Sequence, residues 1–139
     1  MTSPNVSPTR AAPVVLIVDS NASSLALATQ ALAKGGYQAI AAPTIEAAEA
    51  ALNAGTVDLV LIDLHLPEIS GNDFVDYLRN AKLVTAPILL WSNLNPVRLA
   101  GLVAGCGAAG AIGKDLDMSN LCADLSAFLP RPALPERQP

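Results

Sequence analysis

The stretch VDLVLIDLHLPEISG, residues Val57 to Gly71, decides how this chain folds. It opens with an unbroken apolar run, Leu59-Val60-Leu61-Ile62, and stops on a single carboxylate, Asp63. Pro67 and Gly71 follow in what reads as a loop. A short run of aliphatic and β-branched residues bounded by turn formers is the pattern of a strand buried on both faces. Such strands belong to parallel sheets, and open α/β sheets carry their sites at the carboxyl edge. Asp63 is thereby marked as the candidate working residue.

The same pattern recurs on either side. Val14-Val15-Leu16-Ile17-Val18 is a second buried run, and it ends in Asp19. Pro87 introduces Ile88-Leu89-Leu90-Trp91, which ends in Ser92. Tyr37 to Ala42 reads as a short strand, and Ala111-Ile112-Gly113 as a weak one followed by Lys114. Helical segments alternate with these strands. The first runs from about Asn21 to Lys34, with Leu25, Ala28 and Leu32 on one face and Gly35-Gly36 as its stop. Thr44 is placed to cap IEAAEAALNAG, and Asn95 with Pro96 to open a helix through about Ala104. A helix is expected over 72–80, a small-residue turn over 105–110, and a last helix capped by Asp117 with Leu121, Leu125 and Phe128 inward. Ser20 could serve as a simple helix cap. Strands separated by helices of this size imply right-handed crossovers, and hence an α/β fold with a doubly wound, five-stranded parallel sheet and five helices.

Composition limits the function. The 139 residues are 52% hydrophobic and only 14% charged, enough for one folded domain. Lys+Arg number 8 against Asp+Glu 12, a net charge of −4, which argues against direct nucleic-acid binding or an anionic membrane surface. No apolar run approaches a membrane span and the N-terminus lacks a signal-peptide pattern, so a cytoplasmic location is expected. Cys106 and Cys122 are too far apart for a CxxC motif, and His65 has no second histidine with which to hold zinc. Seven of the 11 prolines fall in residues 1–13 and 130–139, which read as a flexible lead and a Pro-rich tail around a domain at 14–129.

Asp19, Asp63, Ser92 and Lys114 each stand just past a strand and should project at one sheet edge. Two adjacent carboxylates favour a cation, and an oxygen-only site with open positions suits Mg²⁺. A lysine and a hydroxyl beside them are suited to positioning a phosphoryl group.

With these four motifs in order, the chain resembles the receiver domain of two-component response regulators, the CheY-like, flavodoxin-like fold. LIVDS, VDLVLIDLHLPEISG, ILLWS and IGK carry the resemblance, with the proline four positions and the glycine eight positions after the acid. It implies strand order 2-1-3-4-5. It implies that Asp63 accepts a phosphoryl group from a histidine kinase or phosphotransfer protein. Asp19, Asp63 and the backbone carbonyl of His65 would hold Mg²⁺, Ser92 would bind the phosphoryl group, and Lys114 would pair with it. A downstream protein partner is expected, and a homodimer is left open. At this length no separate output domain is expected beside the receiver.

The sequence also departs from the family pattern. Ser20 stands where a second acid is usual, so Mg²⁺ affinity should fall. Ala111 replaces the aromatic residue expected three positions before the lysine, Asp115 replaces the proline after it, and Asn93 replaces a small residue after Ser92. These changes support an alternative, a pseudo-receiver that serves as an interaction module without phosphorylation. A small-molecule-binding module of the same fold is a third reading. Asp63-Leu64-His65 also copies the start of the DxHxxG signature of cobalamin-binding domains, but Glu68 occupies the glycine position. Trp91 reads as a packed or partly exposed strand residue, and Leu94, Leu99, Leu102 and Val103 as core shared with a partner-binding face.

Overall fold

The computed structural model describes residues 12–115 and 117–129. The expected lead and tail lie outside the described residues except for Ala12 and Pro13. The elements alternate throughout: β1 (Val14–Val18), α1 (Ala22–Lys34), β2 (Gln38–Ala42), α2 (Ile45–Ala54), β3 (Leu59–Asp63), α3 (Gly71–Asn80), β4 (Ile88–Ser92), α4 (Pro96–Cys106), β5 (Gly110–Gly113) and α5 (Leu121–Leu125). The strands form one parallel sheet in the order β2-β1-β3-β4-β5. Fold class and strand order are those expected.

Why the strand runs are continuously apolar is visible in the two halves of the core. Odd-numbered residues of the central strands (Val15, Ile17, Leu59, Leu61, Leu89) pack against Leu25, Ala28 and Leu32 of α1 and Leu121 and Leu125 of α5. Even-numbered ones (Leu16, Val18, Val60, Ile62, Ile88, Leu90) pack against Ala48 of α2, Phe74, Val75 and Leu78 of α3, and Leu99 of α4. Successive strand side chains point to opposite faces, so a strand covered on both sides has no polar position to spare.

Caps fix where the helices begin, and hence the lengths of the loops at the site. Asn21 accepts from the Ser24 N–H at 2.9 Å, Thr44 from the Ala47 N–H at 3.0 Å, and Asn95 from the Val97 N–H at 2.8 Å. Asn21 is therefore the cap of α1, and Ser20 is exposed outside the helix, against the cap reading of Ser20. Asp117 does not cap the last helix either. Its Oδ1 accepts from the Ser119 N–H at 3.1 Å in a local turn, and α5 begins only at Leu121. A short polar side chain can satisfy an amide two residues on without starting a helix. Phe128 still packs against the core, beyond the helix proper. At α4 the helix runs through Gly105 to Cys106. Gly107 is the residue that ends it, with φ +88°, a conformation costly for a side-chain-bearing residue.

Candidate functional site

The carboxyl ends of β1, β3 and β5 bring three charges together. Lys114 leaves the end of β5 and turns back over the sheet edge. Its Nζ stands 2.9 Å from Asp19 Oδ2 and 3.6 Å from Asp63 Oδ1. Asp19 is fully buried and Asp63 is 7% exposed, so one acid is enclosed and the other is within reach from outside. Their side chains meet because both sit at the strand position facing the α1 and α5 layer, one residue beyond Val18 and Ile62.

Backbone contacts hold the acids in place. Asp19 Oδ1 accepts from the Asn21 N–H at 2.9 Å, the turn that leads into α1. Asp63 Oδ1 accepts a long contact from the His65 N–H at 3.4 Å. His65 is exposed and forms an isolated bridge with Ser70, so the loop after Asp63 closes on itself. Gly71 completes this closure. Its N–H donates to the Leu64 carbonyl at 2.7 Å, and a Cβ at residue 71 would stand 2.5 Å from the Asp63 carbonyl oxygen. No side chain fits there. The glycine eight positions after the acid is thus a requirement of backbone against backbone.

Ser92 occupies the end of β4 and is buried. Its Oγ accepts from the Leu94 N–H at 3.0 Å, which leaves the hydroxyl hydrogen free to donate elsewhere. The Lys114 N–H donates to the Ser92 carbonyl at 3.1 Å, tying the two loops together. Both residues line a cleft of about 570 Å³ between α4 and β5, with Leu94, Leu99, Val103 and Ala111 as its apolar wall. Ala111 leaves open the space that a larger side chain would fill. A second cleft, of about 480 Å³, lies beside Ser20 and the loop from Leu64 to Ser70.

Burial raises the Asp63 carboxyl above the ordinary carboxylate value. The Lys114 ammonium opposes that shift, and the neighbouring Asp19 charge adds to it. Asp19 Oδ2 faces Lys114 at ion-pair distance but has no well-directed hydrogen bond, so it keeps an open acceptor position. Oxygen donors on Asp19 and Asp63 suit a hard cation such as Mg²⁺ rather than zinc. Among the described residues no three His, Cys, Asp or Glu side chains gather as a fuller metal cage, and Ser20 is exposed where a further acid would add charge. Such a cation would keep most of its positions for water or for a bound phosphoryl group.

Of the two readings open for Trp91, the packed one holds. It is fully buried, and the Lys114 ammonium lies over its ring, 4.6 Å from the centroid. This contact is not legible in the sequence, since it joins two strand ends through side chains alone.

The family model of the response regulator receiver domain matches residues 15–126. The photosynthetic apparatus regulatory protein RegA of Rhodovulum sulfidophilum is 29% identical over 113 residues, 81% of this chain and 61% of that protein. The chain therefore spans about three fifths of the length of that curated relative. Among solved structures, a response regulator receiver protein from Pseudomonas putida superposes with a TM-score of 0.73 at 26% identity, covering 86% of this chain and 99% of the other. The chemotaxis response regulator CheY4 of Vibrio cholerae gives 0.75 at 24% identity, covering 85% and 99%. TrrA of Thermotoga maritima, solved in complex with Mg²⁺ and BeF, gives 0.71 at 25% identity, covering 84% and 99%.

Proposed function

Because this chain belongs to the response regulator receiver domains of two-component signalling, we propose that Asp63 is its phosphoacceptor and that Asp19, Ser92 and Lys114 serve the transfer. The observation that carries the reading is the convergence of Lys114 on Asp19 and Asp63 at the carboxyl edge of the sheet. In the proposed reaction an Asp63 carboxylate oxygen attacks the phosphorus of a phosphohistidine on a histidine kinase or phosphotransfer protein. The P–N bond breaks, the imidazole leaves with the electron pair, and Asp63 becomes an acyl phosphate. Water later hydrolyses it and restores the carboxylate.

Phosphoryl transfer depends mainly on positioning and on neutralising the oxygens. Lys114 supplies a cation next to the acceptor oxygen. The Ser92 hydroxyl, with its hydrogen uncommitted, can donate to a phosphoryl oxygen. Mg²⁺ held by Asp19, Asp63 and the His65 carbonyl would supply further charge neutralisation, and Ser20 should make that affinity weak. The output is a shift between two conformations with different affinity for a protein partner, biased by the new charge. With Ala111 in place of a ring, coupling to the α4–β5 cleft should be weak. A cytoplasmic location follows from such partners.

Intact-mass analysis after incubation with acetyl phosphate, with and without Mg²⁺, tests the proposal beside Asp63→Asn. A Mg²⁺-dependent gain of one phosphoryl group, absent in the variant, is expected. No gain, together with Trp91 emission that ignores Mg²⁺ and beryllofluoride, would favour the pseudo-receiver.

A further inference from the structure

The Lys114 ammonium has a third partner besides the two acids. Trp91 lies in β4 with its Cα in register with Asp63 of β3 on one side and Ile112 of β5 on the other. Its indole therefore occupies the layer that the Lys114 side chain must cross to reach Asp19. The ammonium crosses over the ring face, 4.6 Å from the centroid.

Packing alone does not account for a tryptophan here. The Trp91 Nε1–H is buried without a hydrogen-bond acceptor among the described residues. An unpaired buried donor is unfavourable, and an aliphatic side chain would fill apolar space without that penalty. What the indole adds over an aliphatic side chain is an electron-rich face. That face attracts a cation, and more so when water is excluded. The Lys114 side chain is only 16% exposed, so the attraction is little screened. A lysine stem is otherwise flexible, with an ammonium that can point in many directions.

We infer that Trp91 is a positioning residue, whose ring face holds the Lys114 ammonium over the Asp19–Asp63 pair. The contact exists in the unphosphorylated site. Its consequence for phosphorylation rests on Asp63 being the acceptor: an ammonium already in place need not be ordered when the phosphoryl group arrives. Removing the ring should slow labelling of Asp63 by acetyl phosphate by about threefold to tenfold, the size of a partly desolvated cation–ring contact. Trp91→Phe keeps a ring and should stay within about twofold of the unaltered protein.

The experiment pairs a spectroscopic readout with that rate. The chain has three lysines, Lys34, Lys82 and Lys114, so ¹³C-lysine labelling gives few signals. The Lys114 Cε protons should appear upfield of those of exposed Lys34 because of the indole ring current. The displacement should persist in Trp91→Phe and vanish in Trp91→Leu, with Lys34 unchanged in both. The unaltered protein alone decides the contact, should Trp91→Leu fail to fold. Lys114 signals that coincide with those of Lys34 would overturn the inference, as would Trp91→Leu labelling at the unaltered rate. An upfield Lys114 in a protein that takes no phosphoryl group would support the positioning contact while removing Asp63 as acceptor.

Discussion

Replacing Gly71 by alanine should damage both the fold and the acceptor loop. A Cβ at this position would stand 2.5 Å from the Asp63 carbonyl oxygen, 2.8 Å from Leu64 Cα and 3.1 Å from the Asp63 carbonyl carbon. All three are backbone atoms, so no rotamer change can relieve the overlap. Either the start of α3 or the end of β3 must move by roughly half an ångström or more, and overpacking of this kind costs about 1–3 kcal/mol. Alanine's better helix propensity returns at most about 1 kcal/mol. With that return in full, the net loss should still reach about 2 kcal/mol at the upper end of the overpacking range. Urea unfolding followed by the emission of Trp91, the single and buried tryptophan, measures it directly. Gly101→Ala is the matched control. It lies inside α4 with nothing near its added Cβ, and it should raise stability by up to about 1 kcal/mol. Because the Gly71 clash bears on Asp63 itself, phosphoryl labelling should also slow, by as much as about 100-fold if the acceptor shifts by 1 Å. A Gly71→Ala protein as stable as the unaltered one, labelled at the same rate, would refute the close-approach argument.

Arg79 should prove a structural clamp: its Nε donates to the Gly107 carbonyl at 3.0 Å, and its Nη1 to those of Val84 and Ala86 at 2.7 and 2.8 Å. Arg79→Ala should lower the unfolding free energy by about 2–4 kcal/mol, and Arg79→Lys should recover only part of it, both read by urea midpoint. Asp63→Asn should stabilise the protein at neutral pH. The native carboxyl holds its proton more tightly than the unfolded one, so native stability falls as pH rises through the raised native value. Asparagine does not ionise, so its advantage should be large at neutral pH and shrink as pH falls towards the ordinary carboxylate value of 3.8. Melting curves of both proteins across that range check it, and an advantage that grows on acidification would contradict the sign.

The sheet was legible in the sequence because both faces of β1, β3 and β4 are covered, which forces unbroken apolar runs and leaves the first polar residue at the edge. Asp19, Asp63, Ser92 and Lys114 could therefore be picked out by position. The C-terminal end of α4 and the start of α5 were harder to read. Gly105 and Gly107 are the same residue type two positions apart, and only the backbone angle separates a helical glycine from the one that ends the helix. Asp117 has the chemistry of a cap, yet its carboxylate is taken by Ser119. The Trp91–Lys114 contact was not legible at all. It depends on the β4–β5 register and on the turn of one flexible side chain, and a tryptophan at a strand end gives no sign that a cation will cover it.

The most direct test of Asp63 as acceptor is to trap the modification at its residue. Borohydride reduces an acyl phosphate to an alcohol, so protein incubated with acetyl phosphate and Mg²⁺ and then reduced should carry homoserine at position 63 in peptide mass spectra. It should carry none at Asp19 or Asp58, and none anywhere without the phosphoryl donor. Homoserine at another aspartate, or none in a protein that has gained phosphate, would contradict the account.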